Sequence, residues 1–273
     1  FEFLEKKVSE GVITYYGISS NTFVSHSDRF DFTSLEEMIN IANSISQNNH
    51  FKVIQLPFNL LETGALTIKN QINDTITVLE LAVKEDLKVL INRPLNAVSP
   101  KGLVRLAEFK AEPFLEKDFI KQIKLVALME DDLLNEKIEG ENLSESEFNK
   151  LKKFLTLSTQ VEENWKFFGS IEHYNDIITQ LFAPRIDYLM NFFENKIHNE
   201  NVKDFFGRYV KECYKLLNFV SNYYKLRAEK RNNLINSFVN EILPVKYQNL
   251  TLSQKSILLL NSIDGVSCVL VGM

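Results

Sequence analysis

The side chains able to do chemistry gather at the ends of a few short apolar runs. Ser19, Ser20 and Asn21 follow the run 12–19. Gln55 sits inside a second run, 51–58, between Ile54 and Leu56. Asn92 and Arg93 close a third, 87–92, ahead of Pro94 and Leu95. A glutamine buried among apolar neighbours needs hydrogen-bond partners, either backbone groups or a ligand. Serines at a strand end either close the strand or present hydroxyls beside it. The planar fork of Arg93 suits a phosphate or a carboxylate, and both partners fit the context. Asn59 and Asn96 read first as turn residues.

Metal and thiol chemistry find no pattern. His26, His50, His173 and His198 include no pair at ligand spacing, and each is expected to be a solvated surface residue. Cys213 and Cys268 stand in unrelated contexts, which gives neither a disulfide framework nor a metal site and points to a reducing, cytoplasmic compartment. No apolar run approaches the roughly 18 residues a membrane helix needs. A net charge of -5 and a pI near 5.6 argue against nucleic acid as partner.

The elements that must position these residues alternate. A helix over 1–10, closed by Gly11, leads into a strand over 12–19. A helix capped by Thr33 or Ser34 precedes a strand over 51–58, and a helix over 75–85 precedes a strand over 87–92. Near the far end, a helix begun by Thr251 or Ser253 leads into a strand over 266–271, closed by Gly272. Such alternation predicts parallel strands with crossover helices. The nearly continuous apolar content of the strands predicts cover on both faces. Between them, 115–243 has no strand-like run and reads as helices over 119–134, 144–157, 174–193, 202–224 and 229–243. The aromatic residues there, among them Trp165, Phe167, Phe168, Tyr174 and Tyr224, are expected to form a helical core.

The strand sequences resemble the aldo-keto reductase superfamily. Glu10-Gly11-Val12-Ile13 leading into Gly17-Ile18-Ser19-Ser20-Asn21 looks like its fifth barrel strand. Val53-Ile54-Gln55-Leu56-Pro57-Phe58-Asn59 looks like the sixth. The stretch 89–95, ending Arg93-Pro94-Leu95, looks like the seventh, and Gly265-Val266-Ser267-Cys268-Val269-Leu270-Val271-Gly272 like the eighth. The resemblance covers roughly 1–110 and 248–273. It implies an α/β fold, a partial (β/α)8 TIM barrel of strands five to eight, with an all-helical insertion after the seventh strand. The expected organisation is 1–114 for strands five to seven, 115–243 for the insertion, and 244–273 for the last helix and strand. The amphipathic start and the stop after an apolar run read as cuts within a longer protein.

The resemblance also implies a function. The family reduces an aldehyde or ketone, here a small-molecule carbonyl substrate, by hydride transfer from the reduced cofactor NADPH, so NADP is the expected cofactor, with NAD as the second choice. The nicotinamide carboxamide would fall to Ser19, Ser20 or Asn21 and to Gln55. Asn92, Arg93, Pro94, Leu95 and Gly272 would complete the cofactor seat. Asn92 stands where the family has a ring-stacking aromatic, a departure that puts the ring clamp in question. The family's catalytic acid and its partners come from the first four strands, so no residue here is given a catalytic role, and this stretch alone is expected to be inactive. The alternatives are a non-catalytic cofactor-binding or regulatory protein on the same fold, and an unrelated barrel enzyme.

Overall fold

The computed structural model describes residues 1–99, 102–139 and 141–272. Helix α1 (Glu2–Ser9) stops where its sequence can leave the right-handed region: Gly11 takes φ 72°. The amides of Gly11 and Val12 return to the carbonyls of Val8 and Lys7, closing a Schellman turn. Strand β1 (Tyr16–Ser19) follows, then α2 (Leu35–Ile45), whose N-cap is Ser34: its hydroxyl accepts from the amide of Glu37. Strand β2 is Phe51–Pro57, ending at the residue with no amide to donate.

The stretch between β2 and the next helix holds structure of its own. It contains a one-turn helix α3 (Gly64–Thr67) and strand β3 (Lys69–Gln71), which pairs antiparallel with β4 (Ile76–Thr77). Helix α4 (Val78–Lys84) therefore starts later than the apolar spacing suggested. Ile76 and Thr77 serve the β pairing, and Thr77 makes a capping box with Glu80. The return between β3 and β4 runs through Ile72, Asn73 and Asp74, all at positive φ, a conformation costly for β-branched Ile72. Strand β5 (Lys88–Asn92) precedes a two-stranded sheet of β6 (Asn96–Ser99) and β7 (Gly102–Arg105).

The helical stretch comprises α5 (Glu116–Asp132), α6 (Glu145–Phe154), α7 (Leu157–Asn164), α8 (Ile171–Ile177), α9 (Ala183–Lys196) and α10 (Glu200–Ile242). The two patterns read at 202–224 and 229–243 are one continuous helix. A π-helical turn, Leu133–Lys137, extends α5, and another, Ile178–Phe182, joins α8 to α9. Helix α11 (Leu252–Asn261), capped by Thr251 and Gln254, then leads through Gly265 at φ 89° into β8 (Val266–Val269).

The chain divides into two compact units: Phe1–Pro100 with Val104–Glu108 and Asn236–Met273, and Lys101–Leu103 with Phe109–Ile235. In the first, four parallel strands lie in the order β1-β2-β5-β8, each beside the strand before it. One face is packed. Ile54, Leu56, Val89 and Ile91 are fully buried with Leu35 and Ala42 of α2, Val78 and Leu81 of α4, and Leu260 of α11. Each of the Val, Leu and Ile side chains contributes about 1.5–3 kcal/mol by leaving water. The opposite face is not closed, contrary to the expected cover on both sides. Its central row pairs Ser19 with Gln55, Gln55 with Leu90, and Leu90 with Cys268. Ser19 and Cys268 are exposed, and Gln55 and Leu90 half-buried. The strands meet closely at Gly17, where an added Cβ would stand 2.1 Å from the Val53 carbonyl oxygen.

The second unit packs around the aromatic residues expected there: Trp165, Phe168, Tyr174, Phe182, Tyr209 and Tyr224 are buried, while Phe167 is not. Its buried carboxylate, Glu130 of α5, serves the start of α7. It accepts from the amides of Leu157 (2.7 Å) and Ser158 (3.3 Å), from the Ser158 hydroxyl, and from the Tyr209 hydroxyl (2.9 Å). The two amides are donors a helix start leaves unpaired. Burial pushes the Glu130 pKa above the ordinary carboxylate value near 4.5, against the pull of those four bonds. A raised folded-state pKa favours the protonated form, so the contribution is full below about pH 4.5 and declines as pH rises through the folded value. Denaturant unfolding across pH 4 to 8 is therefore expected to show wild type losing stability relative to Glu130→Gln as pH rises. A constant difference between the two would contradict this.

Candidate functional site

The carboxyl ends of β1, β2 and β5 bring the sequence-selected residues to one end of the sheet. Pairing sets Ser19 directly beside Gln55, and the amide of Ser20 donates to the Gln55 carbonyl at 3.0 Å. The side chains of paired residues in parallel strands stand on the same face. The Ser19 hydroxyl and the Gln55 amide thus share the face that the helices leave uncovered. Ser20 has other work. Its hydroxyl lies 3.0 Å from that of Thr22 and 2.8 Å from that of Thr33, and these two are 2.8 Å apart. This triangle closes the base of the loop after β1. Asn21 is exposed just beyond it.

At the end of β5, Arg93 adopts φ 52° and its Nη2 donates to Glu62 Oε1 at 2.9 Å. Of the two partners that the sequence left open, the described structure supplies the carboxylate. Glu62 is itself fixed, its Oε2 accepting from Asn59 Nδ2 (2.8 Å) and the amide of Val98 (3.0 Å). Asn59 is the centre of the arrangement and is fully buried. Its Oδ1 accepts from the amides of Leu61 and Glu62, and its Nδ2 also donates to the Arg93 carbonyl at 3.1 Å. It is the turn residue its type suggested, and every hydrogen-bonding position of its amide is engaged. Asn92 Oδ1 and Arg93 Nε are buried without a hydrogen-bond partner.

The remaining positions hold the frame. Pro94 is buried, and its carbonyl accepts from the Ser256 hydroxyl of α11 at 2.9 Å. The Leu95 carbonyl accepts from the amide of Leu106 at 2.8 Å. The amide of Leu270 donates to the Ile91 carbonyl at 2.8 Å, carrying the β5–β8 pairing past the strand, and Gly272 is exposed beyond it. Asn96, taken for a turn residue, opens β6. Glu62 was missed by the sequence reading. Its signal was the Asn-x-x-Glu spacing from Asn59, the pattern of a side chain capping the backbone three residues on.

His50 also departs from expectation. It is at the amino end of β2, away from the strand-end site, and is not a free surface histidine. Its Nδ1 lies 2.8 Å from Glu5 Oε2, and its amide donates to Glu5 Oε1 at 2.6 Å. Burial pushes Glu5 upward, but the bonds from His50 and from the Tyr16 hydroxyl outweigh it and hold the carboxyl below its usual range. Beside His50 opens a cleft of about 450 Å³, lined by Asn43, Asn49, Lys52 and Glu85. Among the described residues no three His, Cys, Asp or Glu side chains are placed to hold a metal ion, and no helix is long and apolar enough to cross a membrane.

No family model, curated protein or solved structure matches the chain.

Asn59 holds two amides, a carboxylate and a carbonyl in a buried site, so Asn59→Ala leaves several groups unpaired at once. It is expected to cost about 2–4 kcal/mol in chemical denaturation, while Ser20→Ala, in a half-exposed hydroxyl cluster, costs about 1 kcal/mol. Equal effects would contradict the assignment of Asn59 as the anchor.

Proposed function

We propose that this chain is the cofactor-side half, strands five to eight, of a (β/α)8 barrel of the aldo-keto reductase type, whose complete protein reduces an aldehyde or ketone with NADPH. The observation that carries the reading is the pairing of Ser19 with Gln55 on the uncovered face of a sheet whose parallel strands follow chain order. Strands that always add on the same side, each through a crossover of the same hand, put every helix on one face. In a barrel the other face is the interior, and the carboxyl ends of the strands form the active-site mouth.

The donor set suits a primary amide. The Ser19 hydroxyl both donates and accepts, and so does the Gln55 side chain, which complements a carboxamide's one oxygen and two amide hydrogens. When bound, the cofactor supplies a hydride. These residues would fix which face of its ring meets the carbonyl carbon. Ser20 would act through the loop base rather than by contact, and Asn21 stands next in the same loop. Pro94, Leu95 and Gly272 would shape the backbone of the seat. The proton donor for the reduced oxygen is assigned to no residue of this chain. NADP is the first candidate and NAD the second.

Two observations favour a second reading, a protein that retains cofactor with little turnover. Asn92 cannot stack on a ring as an aromatic does. Arg93, already neutralised by Glu62, has little charge left for a pyrophosphate. Titration of the full-length protein with NADPH and NADH, followed by nicotinamide fluorescence, tests the shared cofactor assignment. Saturable binding, weakened about tenfold by Gln55→Ala through loss of a desolvated hydrogen bond, is expected. Absence of binding by a folded protein would overturn it. Turnover with small aldehydes then separates the two readings.

A further inference from the structure

The end of the sheet opposite Ser19 and Gln55 carries a second gathering of polar side chains. The cleft of about 450 Å³ beside His50 lies there, where β2 begins. Its size falls in the range of small-molecule pockets, about 300–1,000 Å³. Buried Ala42, Phe51 and Leu87 are part of its lining, and Tyr15 adds an exposed aromatic ring.

Two hydrogen-bond systems hold the walls. Asn49 donates from Nδ2 to Asn43 Oδ1 at 2.9 Å and to the Ser46 carbonyl at 3.1 Å, and its Oδ1 accepts from the amide of Phe51 at 3.2 Å. These bonds tie the end of α2 to the start of β2. On the other wall, Glu5 accepts from the His50 amide, from His50 Nδ1 and from the Tyr16 hydroxyl. A carboxylate only accepts, so the proton of the neutral imidazole sits on Nδ1 and Nε2 is left as an acceptor.

The groups not used by these two systems are of both kinds. Asn43 Nδ2 and Lys52 Nζ donate, His50 Nε2 and the Glu85 carboxylate accept, and the Asn48 amide does both. None of them takes a hydrogen bond among the described residues. Lys52 and Glu85 line one cleft without forming an ion pair, while Asp86 beside them is occupied by Lys88 at 2.9 Å.

That inventory selects a ligand. An anion would meet Glu85, and a cation would meet Lys52. An apolar molecule would cover amides and charges without pairing them, which costs free energy. A zwitterion would use the two charges and leave the amides idle. Hydroxyl groups each donate and accept, so a molecule carrying several of them pairs with both kinds at once. Its C–H face suits Phe51, Leu87 and the Tyr15 ring.

We propose that this cleft is a second ligand site, for a neutral polyhydroxy molecule of the sugar class. It stands at the amino ends of the strands, away from Ser19 and Gln55, and is independent of the cofactor reading.

The test titrates the full-length protein with D-glucose, D-galactose and D-ribose, and with inorganic phosphate and glycine, by saturation-transfer NMR. Wild type is compared with Lys52→Met and Glu85→Ala. Neither side chain has a hydrogen-bond partner in the fold, so both variants are expected to stay folded. Saturable binding of at least one sugar is expected, weakened about tenfold in each variant by loss of a charge-assisted hydrogen bond. NADPH titration of the same variants should match wild type. Absence of sugar binding, or sugar binding that both variants keep in full, would overturn the proposal. Binding of phosphate or glycine in place of every sugar would overturn it too, by making the cleft an anion or zwitterion site.

Discussion

Parallel strands can be joined only by crossovers, and crossovers in one sheet take one hand. That constraint organises the first unit. Because β1, β2, β5 and β8 are laid down in chain order, α2, α4 and α11 share a face, where Ile54, Leu56, Val89 and Ile91 meet them. The alternate positions are left for other work. Ser19, Gln55 and Cys268 are polar or small, and they stand in one registered row with Leu90. A sheet wound in both directions would have covered this row with helices and left it no chemical use.

The strand ends are stiffened by groups that do not face the row. Asn59, Glu62 and Arg93 bind the loop after β2 to the turn after β5, and the left-handed backbone at Arg93 is held inside that network. The Ser256 hydroxyl fastens Pro94 to α11. Lys255 beside it is fully buried, its Nζ donating to Asn236 and Asn240 Oδ1 at 2.7 Å each, which joins α11 to the end of α10. A recognition site needs such support, because a hydrogen bond to a ligand is only as well aimed as the backbone behind it.

Much of this was legible in the sequence, for physical reasons. β-branched and aromatic runs ending at Ser19, Pro57 and Asn92 marked strands, because their side chains suit a pleated, packed surface. Thr33 or Ser34 and Thr251 or Ser253 marked helix starts, and Ser34 and Thr251 are the caps. Other features required tertiary structure. Thr77 reads equally well as an early helical residue, and only its pairing with Lys69 makes it a strand residue and cap. The β6–β7 sheet lacks a strong apolar alternation. The apolar content of the strands predicted cover on both faces, whereas the alternation of Gln55 and Ser19 with Ile18, Ile54 and Leu56 carried the two-sided signal. The partner of Arg93 was beyond reach, since Glu62 is distant in sequence and its pairing depends on the turn that Asn59 builds.

The most direct measurement is a crystal structure of the full-length protein grown with NADP. The account predicts that the free edges of β1 and β8 each pair with a further parallel strand, closing the row of Ser19, Gln55, Leu90 and Cys268 inside a barrel. It also predicts the nicotinamide carboxamide within hydrogen-bond distance of Ser19 and Gln55. A sheet whose edges stay unpaired, or whose row is packed under helices with Gln55 shut away from the cofactor, would contradict it.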